Sequence, residues 1–366
     1  MNIEASVIGS YITQKLPDFT GIPEIIQFKG GASNLTFLLT FDNNSKLVLR
    51  MPPPGKKAKS AHNMEREWRI ASALSGHFPV PKMMLFEHSA ELMGDQFYLM
   101  EYLSGNIPRK NLSKKIKPTE DLYPDLCNSY ITTLTKLHQL DYAALGLQDF
   151  YKGDGYVKRQ VDGWSKRMAD AITPGCRGWE EIATWLDSNQ PQDQPPCIIH
   201  NDYRFDNLVF DPLQASQIIG VLDWELSTVG DPYMEVGSSL AYWIEGNDPL
   251  SMKMLRRQPT HVKGMLSRDE LLQLYFESAG KKRVDFMFYY IFGLFRLAVI
   301  AQQIYYRFHH KQSKNRSFAV FGPAVQLLIK YCSMLIRSNS HSISQKPLKK
   351  MDDLYYSLRI IFQTLK

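Results

Sequence analysis

The chain has 366 residues, 44% hydrophobic and 22% charged, an ordinary globular composition with length for a large core and two domains or lobes. Its formal net charge of +6 comes from short scattered clusters, such as Lys56, Lys57 and Lys59 or Lys281, Lys282 and Arg283, which attract anionic ligands mildly and form no block dense enough for nucleic acid. Four cysteines (Cys127, Cys176, Cys197, Cys332) lie far apart with no C-x-x-C, which argues against a zinc ribbon or a disulfide framework and fits a reducing compartment.

"MNIEASVIGSYITQKL" has an acidic residue at position 4 and no apolar h-region, so it reads as an amphipathic helix over 1–20 and not as a signal peptide. A cytoplasmic protein is the expectation. From about residue 24, β-branched and aromatic runs split by Gly30-Gly31 and by "DNNS" predict three short antiparallel strands. "MPPPGKKAKSAH" is a loop, because its prolines end any ladder. "NMEREWRIASALSG" has helical spacing, with Met64, Trp68, Ala71 and Leu74 on one face. "QFYLMEYLSG", Gln96 to Gly105, reads as another strand. Beyond it the texture is helical: "LCNSYITTLTKLHQL" strongly, "VDGWSKRMADAI" and "GWEEIATWLDSN" more weakly. The proline-rich 189–196 is a surface connector, strand texture returns only over 197–223, and helices fill the chain from about 233. Phe286 to Tyr306 is apolar enough to suggest a membrane span, but Arg296 sits at its middle, where a charge is costly. It is read as a central core helix, with no membrane partner expected.

The polar centre of "CIIHNDYRFDNLVFD", 197–211, crowds His200, Asn201, Asp202, Arg204, Asp206 and Asn207 between two buried-looking strands. Asp223 closes a second apolar strand, "IIGVLD", 16 positions after Asn207. A hairpin would set a carboxylate and an amide beside another carboxylate. These are hard oxygen ligands suited to magnesium, with one carboxylate left to orient a hydroxyl. Phosphoryl transfer from ATP needs those parts. The bland alternative is a hairpin with Asx turns and a surface salt bridge.

The spacing H-x-D-x-x-x-x-N matches the kinase catalytic loop. The sequence resembles the protein-kinase-like superfamily, in particular the aminoglycoside phosphotransferase and choline kinase branch. It is more similar still to the kinase-like branch fused to some acyl-CoA dehydrogenases, through "DYRFDNL" (202–208), "VLDWELSTVGDP" (221–232) and "RQVDGW" (159–164), within a resemblance running from about 24 to 245. It implies an α+β, two-lobed fold: a small antiparallel-sheet N-lobe over 1–102 and a larger helical C-lobe over 103–366. ATP and Mg2+ are the implied cofactors. Asp202 would be the catalytic base, Asn207 and Asp223 the metal ligands, and His200 a structural buttress. "GGASN" looks like the phosphate-covering loop, with Gly31, Ser33 and Asn34 facing the nucleotide, although a Gly-Gly turn alone is usually only a turn. Arg50 stands where kinases carry a strand lysine, with Glu67 as its helix partner. "MEYL" looks like the hinge, with Met100 and the backbone of Glu101 and Leu103 meeting adenine. Two further departures stand out. Asn201 replaces a family glycine, tolerable there if the backbone needs a positive φ. Glu235 replaces an aspartate, and its expected role is helix anchoring.

No D-F-G, A-P-E or long activation segment follows Asp223, which argues against protein substrates. The expected acceptor is the hydroxyl of a small molecule. The resemblance implies a hydroxyacyl thioester of coenzyme A and a functional link to an acyl-CoA dehydrogenase. Arg159 and Arg204 are candidate acceptor contacts; equally, Gln160 and Trp164 of "RQVDGW" could simply pack and cap a helix. Two alternatives stay open: an aminoglycoside- or choline-type kinase, and a nucleotide-binding protein of kinase fold without turnover, motivated by Arg50 and Asn201.

Overall fold

Period-two burial builds the first lobe. In this computed structural model, which describes residues 4–28, 34–53, 64–113, 116, 119–338 and 340–344, helix α1 (Ala5–Lys15) precedes strands β1 (Glu24–Gln27), β2 (Leu35–Thr40) and β3 (Lys46–Met51). Helix α2 (Met64–Leu74), β4 (Met83–Glu87) and β5 (Phe97–Glu101) follow. The sheet order is β1-β2-β3-β5-β4, every pair antiparallel. Successive side chains of a strand point to opposite faces. Leu47, Leu49 and Met51 of β3 therefore join Ile8 and Ile12 of α1 in one cluster. Val48 faces the other way, with Tyr98, Met100 and Met64 of α2. Arg50, two positions on, shares that second face.

The expected strand over Gln96 to Gly105 ends at Glu101, and β4 has no counterpart among the expected strands. "MMLFE" does not alternate in hydrophobicity, and all five residues are half-buried, so no two-residue period marks it.

The helical part holds α3 (Leu122–Gln139), α4 (Tyr156–Asp170), α5 (Trp179–Ser188), β6 (Cys197–Ile199), β7 (Leu208–Phe210), β8 (Ile218–Val221), β9 (Thr228–Gly230), α6 (Pro232–Leu240), α7 (Leu250–Met254), α8 (Arg268–Ser278), α9 (Met287–His309) and α10 (Phe321–Ser338). Strands pair as β6-β9 and β7-β8. Helix α2 is tied across to this lobe: Arg66 Nε donates to the Ser227 carbonyl at 2.9 Å.

Two stretches, Met287–His309 and Arg316–Ser338, are long and apolar enough to cross a membrane, and 78% and 44% of their apolar windows are buried inside the protein. For α9 that burial accounts for the composition: it is the core helix of the C-lobe. It packs on α6 through two glycines. A Cβ on Gly237 would sit 2.2 Å from the Tyr289 carbonyl oxygen, and one on Gly293 would sit 2.3 Å from the Gly237 oxygen. The backbones touch because neither residue has a side chain. This contact brings Arg296, one turn after Gly293, beside Ser238 and Ser239. Gly293→Ala is expected to cost ~1–3 kcal/mol by urea denaturation, the usual range for overpacking. A change below about 0.5 kcal/mol, typical of a surface site, would mean that the helices part freely.

Candidate active site

Strand β6 delivers the chain into the polar centre, and a 3-10 turn over Phe205–Asn207 leads out into β7. Asn201 takes φ +64°, the left-handed region where asparagine is among the more tolerant residues. Its N–H donates to Glu235 Oε1 at 2.6 Å, and the other carboxylate oxygen of Glu235 meets His138 Nε2 at 2.8 Å. Glu235 therefore anchors the loop itself to α3, as well as lying in α6. His200 is fully buried. Its Nδ1 accepts the Asp202 N–H at 3.2 Å, so Nε2 carries the proton and donates to the Leu222 carbonyl at 2.8 Å. The imidazole thus staples the loop to the residue before Asp223.

The Asp202 carboxylate is held from two sides. Arg204 Nη2 donates to Oδ2 at 3.0 Å, with Nε 2.9 Å from Oδ1, and Asn207 Nδ2 donates to Oδ2 at 3.1 Å. Arg204 also pairs with Asp206 at 3.4 Å and stacks over the Tyr242 ring. Asn207 Nδ2 also donates to the Asp202 carbonyl, which leaves Oδ1 to accept from elsewhere. The Leu222 N–H donates to the Asn207 carbonyl at 2.8 Å, so the β7-β8 pairing carries Asp223 next to Asn207.

Asp223 is also left-handed, φ +70°, and its side chain is 34% exposed. Arg50 spans the lobes: Nη1 lies 2.9 Å from Glu67 Oε1 and Nη2 lies 2.9 Å from Asp223 Oδ1. Arg50 Nε is buried with no hydrogen-bond partner among the described residues, and the Tyr98 hydroxyl meets the Glu67 carboxyl. Burial lifts the Glu67 carboxyl from 4.5 up to about 7; Arg50 pulls it down and Asp223 adds to the lift. A carboxyl raised in the folded state costs stability once the unfolded chain ionises. Glu67's contribution is therefore most favourable below about 4.5 and is lost as pH rises to about 7. A series of urea midpoints across that window should lose this slope in Glu67→Gln. An unchanged slope would assign the titration to another group.

Asn34 Nδ2 donates to Glu225 Oε2 at 3.0 Å, which joins the end of the glycine loop to the turn after Asp223. Gly31 and Ser33 lie outside the described residues. At the hinge, Met100 is buried on the Val48 face. The Glu101 N–H donates to the Lys82 carbonyl at 2.8 Å. Leu103 covers Gly220 of β8, where a Cβ would lie 2.1 Å from Leu103 Cδ1. Asn106 then pairs with Phe210, so the hinge runs directly onto the β7-β8 hairpin.

A shallow, open depression lies beside Asp202. Ser238, Ser239 and Tyr242 form one wall, and Arg296 of α9 lines it from another side. Arg296 Nη2 donates to the Asn201 carbonyl at 2.6 Å. Arg159 is not among its lining residues: it is exposed on α4 and donates to the carbonyls of Gly153 and Asp154. Gln160 Oε1 accepts from Trp164 Nε1 at 3.3 Å, so the "RQVDGW" glutamine and tryptophan bond to each other. Sequence reasoning took Arg296 only as the residue that interrupts a membrane-like run. The available signal was that a charge buried in an apolar helix must be held by something.

The donor set suits magnesium. Asn207 Oδ1 and the Asp223 oxygen not bound to Arg50 are hard oxygen donors. No cluster of three or more acidic, histidine or cysteine side chains that could hold a metal occurs among the described residues. A cation here would lean on nucleotide phosphates for its remaining ligands, as magnesium commonly does.

Residues 24–271 match the model of a phosphotransferase enzyme family. Acyl-CoA dehydrogenase family member 11 of Rattus norvegicus is 34% identical over 314 residues, which is 82% of this chain and 39% of that protein. The chain thus spans about two fifths of that curated relative. A solved structure from Ralstonia eutropha, provisionally assigned as an aminoglycoside phosphotransferase, superposes with TM-score 0.78 at 26% identity, covering 92% of this chain and 99% of that one. The ternary complex of APH(2")-IIa with streptomycin and ATP superposes with TM-score 0.55 at 17% identity over 82% of this chain and 91% of that one. The two-lobed kinase-like fold is common to this chain and both solved structures.

Proposed function

Because the chain belongs to the phosphotransferase enzyme family, we propose that it transfers the γ-phosphoryl group of ATP to the hydroxyl of a small molecule, with a hydroxyacyl thioester of coenzyme A as the favoured acceptor class. The observation that carries this reading is the Asp202 carboxylate, fixed by Arg204 and Asn207 at the edge of the depression and joined through His200 and Leu222 to Asp223. Asp202 accepts the proton of the acceptor hydroxyl. The hydroxyl oxygen forms a bond to the γ-phosphorus, the bond from that phosphorus to the β–γ bridging oxygen breaks, and ADP leaves with the electron pair. Arg204 and Asn207 hold the carboxylate in one orientation, which is most of what such a base needs.

Asn207 and Asp223 would hold magnesium, which supplies charge neutralisation of the phosphates when bound. Arg50 can donate bidentately to phosphate oxygens and is oriented by Glu67. Leu103 has a backbone N–H without a hydrogen-bond partner among the described residues, suited to an adenine acceptor nitrogen. Asn34, Met100 and Glu101 complete the nucleotide surface.

The acyl-CoA acceptor is supported by the dehydrogenase relatives and by the cationic lining of the depression. A functional link to an acyl-CoA dehydrogenase follows from the same reading. The contact of Arg50 with Asp223 favours the second reading, nucleotide binding without turnover, since it occupies one oxygen of a metal ligand. Magnesium-ATP-dependent ADP release, measured against hydroxyacyl-CoAs, choline-like alcohols, sugars and aminoglycosides, separates them. Release driven by hydroxyacyl-CoAs is expected. Tight nucleotide binding with no acceptor-dependent release would favour the second reading.

A further inference from the structure

Helix α9 buries one guanidinium in an otherwise apolar stretch. Arg296 is only 7% exposed. A buried charge is costly unless it is paired and hydrogen-bonded. Arg50 and Arg268, also buried, and the half-buried Arg204 each meet carboxylates. Arg296 meets none among the described residues. It donates through Nη2 to the Asn201 carbonyl and lies over the Trp164 ring at 5.2 Å. A guanidinium carries five donors in a planar fork and has no acceptor, so donors remain for an oxygen at the open mouth of the depression that Arg296 lines.

The neighbouring groups do not supply the missing negative charge. Asp202 and Asp206 are both engaged by Arg204. Arg167 stacks on the same Trp164 ring at 4.7 Å and adds a second cation. A cationic acceptor placed here would meet repulsion. An oxygen that carries lone pairs and no proton, whether a carbonyl or a carboxylate, would satisfy the fork, as the Asn201 carbonyl already does on one side.

We propose that Arg296 orients the acceptor: its remaining N–H groups take an acyl oxygen, a thioester carbonyl or a carboxylate, and turn the hydroxyl of the same molecule toward Asp202. This rests on the kinase reading. Because Arg296 also touches the loop through Asn201, a variant can slow every acceptor; the informative quantity is the preference between acceptors.

The test compares hydroxybutyryl-CoA, free hydroxybutyrate and butanediol, the last keeping a hydroxyl and lacking the acyl oxygen. Magnesium-ATP-dependent ADP release is measured for the wild type, Arg296→Lys and Arg296→Gln. The ratio of kcat/KM for an acyl acceptor over the diol is expected to fall ~10-fold or more in both variants, with the larger part in KM. A displaced loop lowers both rates and cancels in the ratio. Whichever of thioester and free acid shows the fall identifies the source of the oxygen. A ratio unchanged in both variants overturns the proposal, and so does a wild type that prefers the diol, a result needing no folded variant. Failure of the kinase reading looks different: no acceptor elicits release from the wild type, and the proposal falls with it.

Discussion

Asp202→Ala is expected to lower kcat by ~10³-fold or more while leaving nucleotide affinity within about threefold, because the carboxylate acts on the acceptor proton and not on the nucleotide. The alanine also removes the partner of Arg204, a half-buried cation that would then keep only the longer contact to Asp206. Asp202→Asn separates the two effects. Its amide oxygen, at the place of Oδ2, still accepts from Arg204 Nη2 and Asn207 and only the contact of the other atom with Arg204 Nε is lost, yet it takes no proton at neutral pH. Stability close to wild type, with a kcat as low as that of the alanine variant, is the expected pair of results. Turnover near the wild-type rate in Asp202→Asn would show that Asp202 positions the loop and leaves proton transfer to another group.

The second large effect is at Asp223. Asp223→Ala is expected to weaken nucleotide binding in the presence of magnesium by ~100-fold or more, while binding without metal changes little. The removed carboxylate would be one of two protein ligands, so its loss should appear as a collapsed difference between titrations with and without magnesium. Asp223 also holds a left-handed backbone, φ +70°, in which alanine is strained. Asp223→Asn keeps a residue tolerant of that conformation and removes only the charge, so it should also lose most of the magnesium effect. If asparagine restores the effect and alanine does not, the backbone matters and the charge does not. Either substitution releases Arg50 from one of its two carboxylates.

The legible parts of this molecule were those encoded by neighbours in sequence. His200, Asp202 and Asn207 share one short loop, and Asp223 ends the strand that pairs with the strand after it, so spacing alone brought them near one another. Arg50 and Glu67 were legible through the kinase pattern, a basic residue on a strand and an acidic partner on the helix that follows, and the two side chains do meet. The strand β4 was missed because "MMLFE" carries no alternation. The acceptor side was the least legible. Arg159 belongs to a quotable motif and donates to its own loop, whereas Arg296 lies far along the chain and reaches the site only because Gly237 and Gly293 let two helix backbones touch. No local pattern announces such a tertiary approach.

Phosphoryl transfer to a hydroxyl held beside Asp202 can be followed atom by atom. The most direct measurement follows γ-labelled ATP with magnesium and hydroxybutyryl-CoA, and locates the label after a single turnover. Label is expected on the hydroxyl oxygen of the hydroxybutyryl group, with one ADP formed per label transferred, and neither product in Asp202→Asn. Label found only as inorganic phosphate, at equal rates with and without acceptor, would contradict it and make the protein a nucleotide hydrolase on a kinase fold.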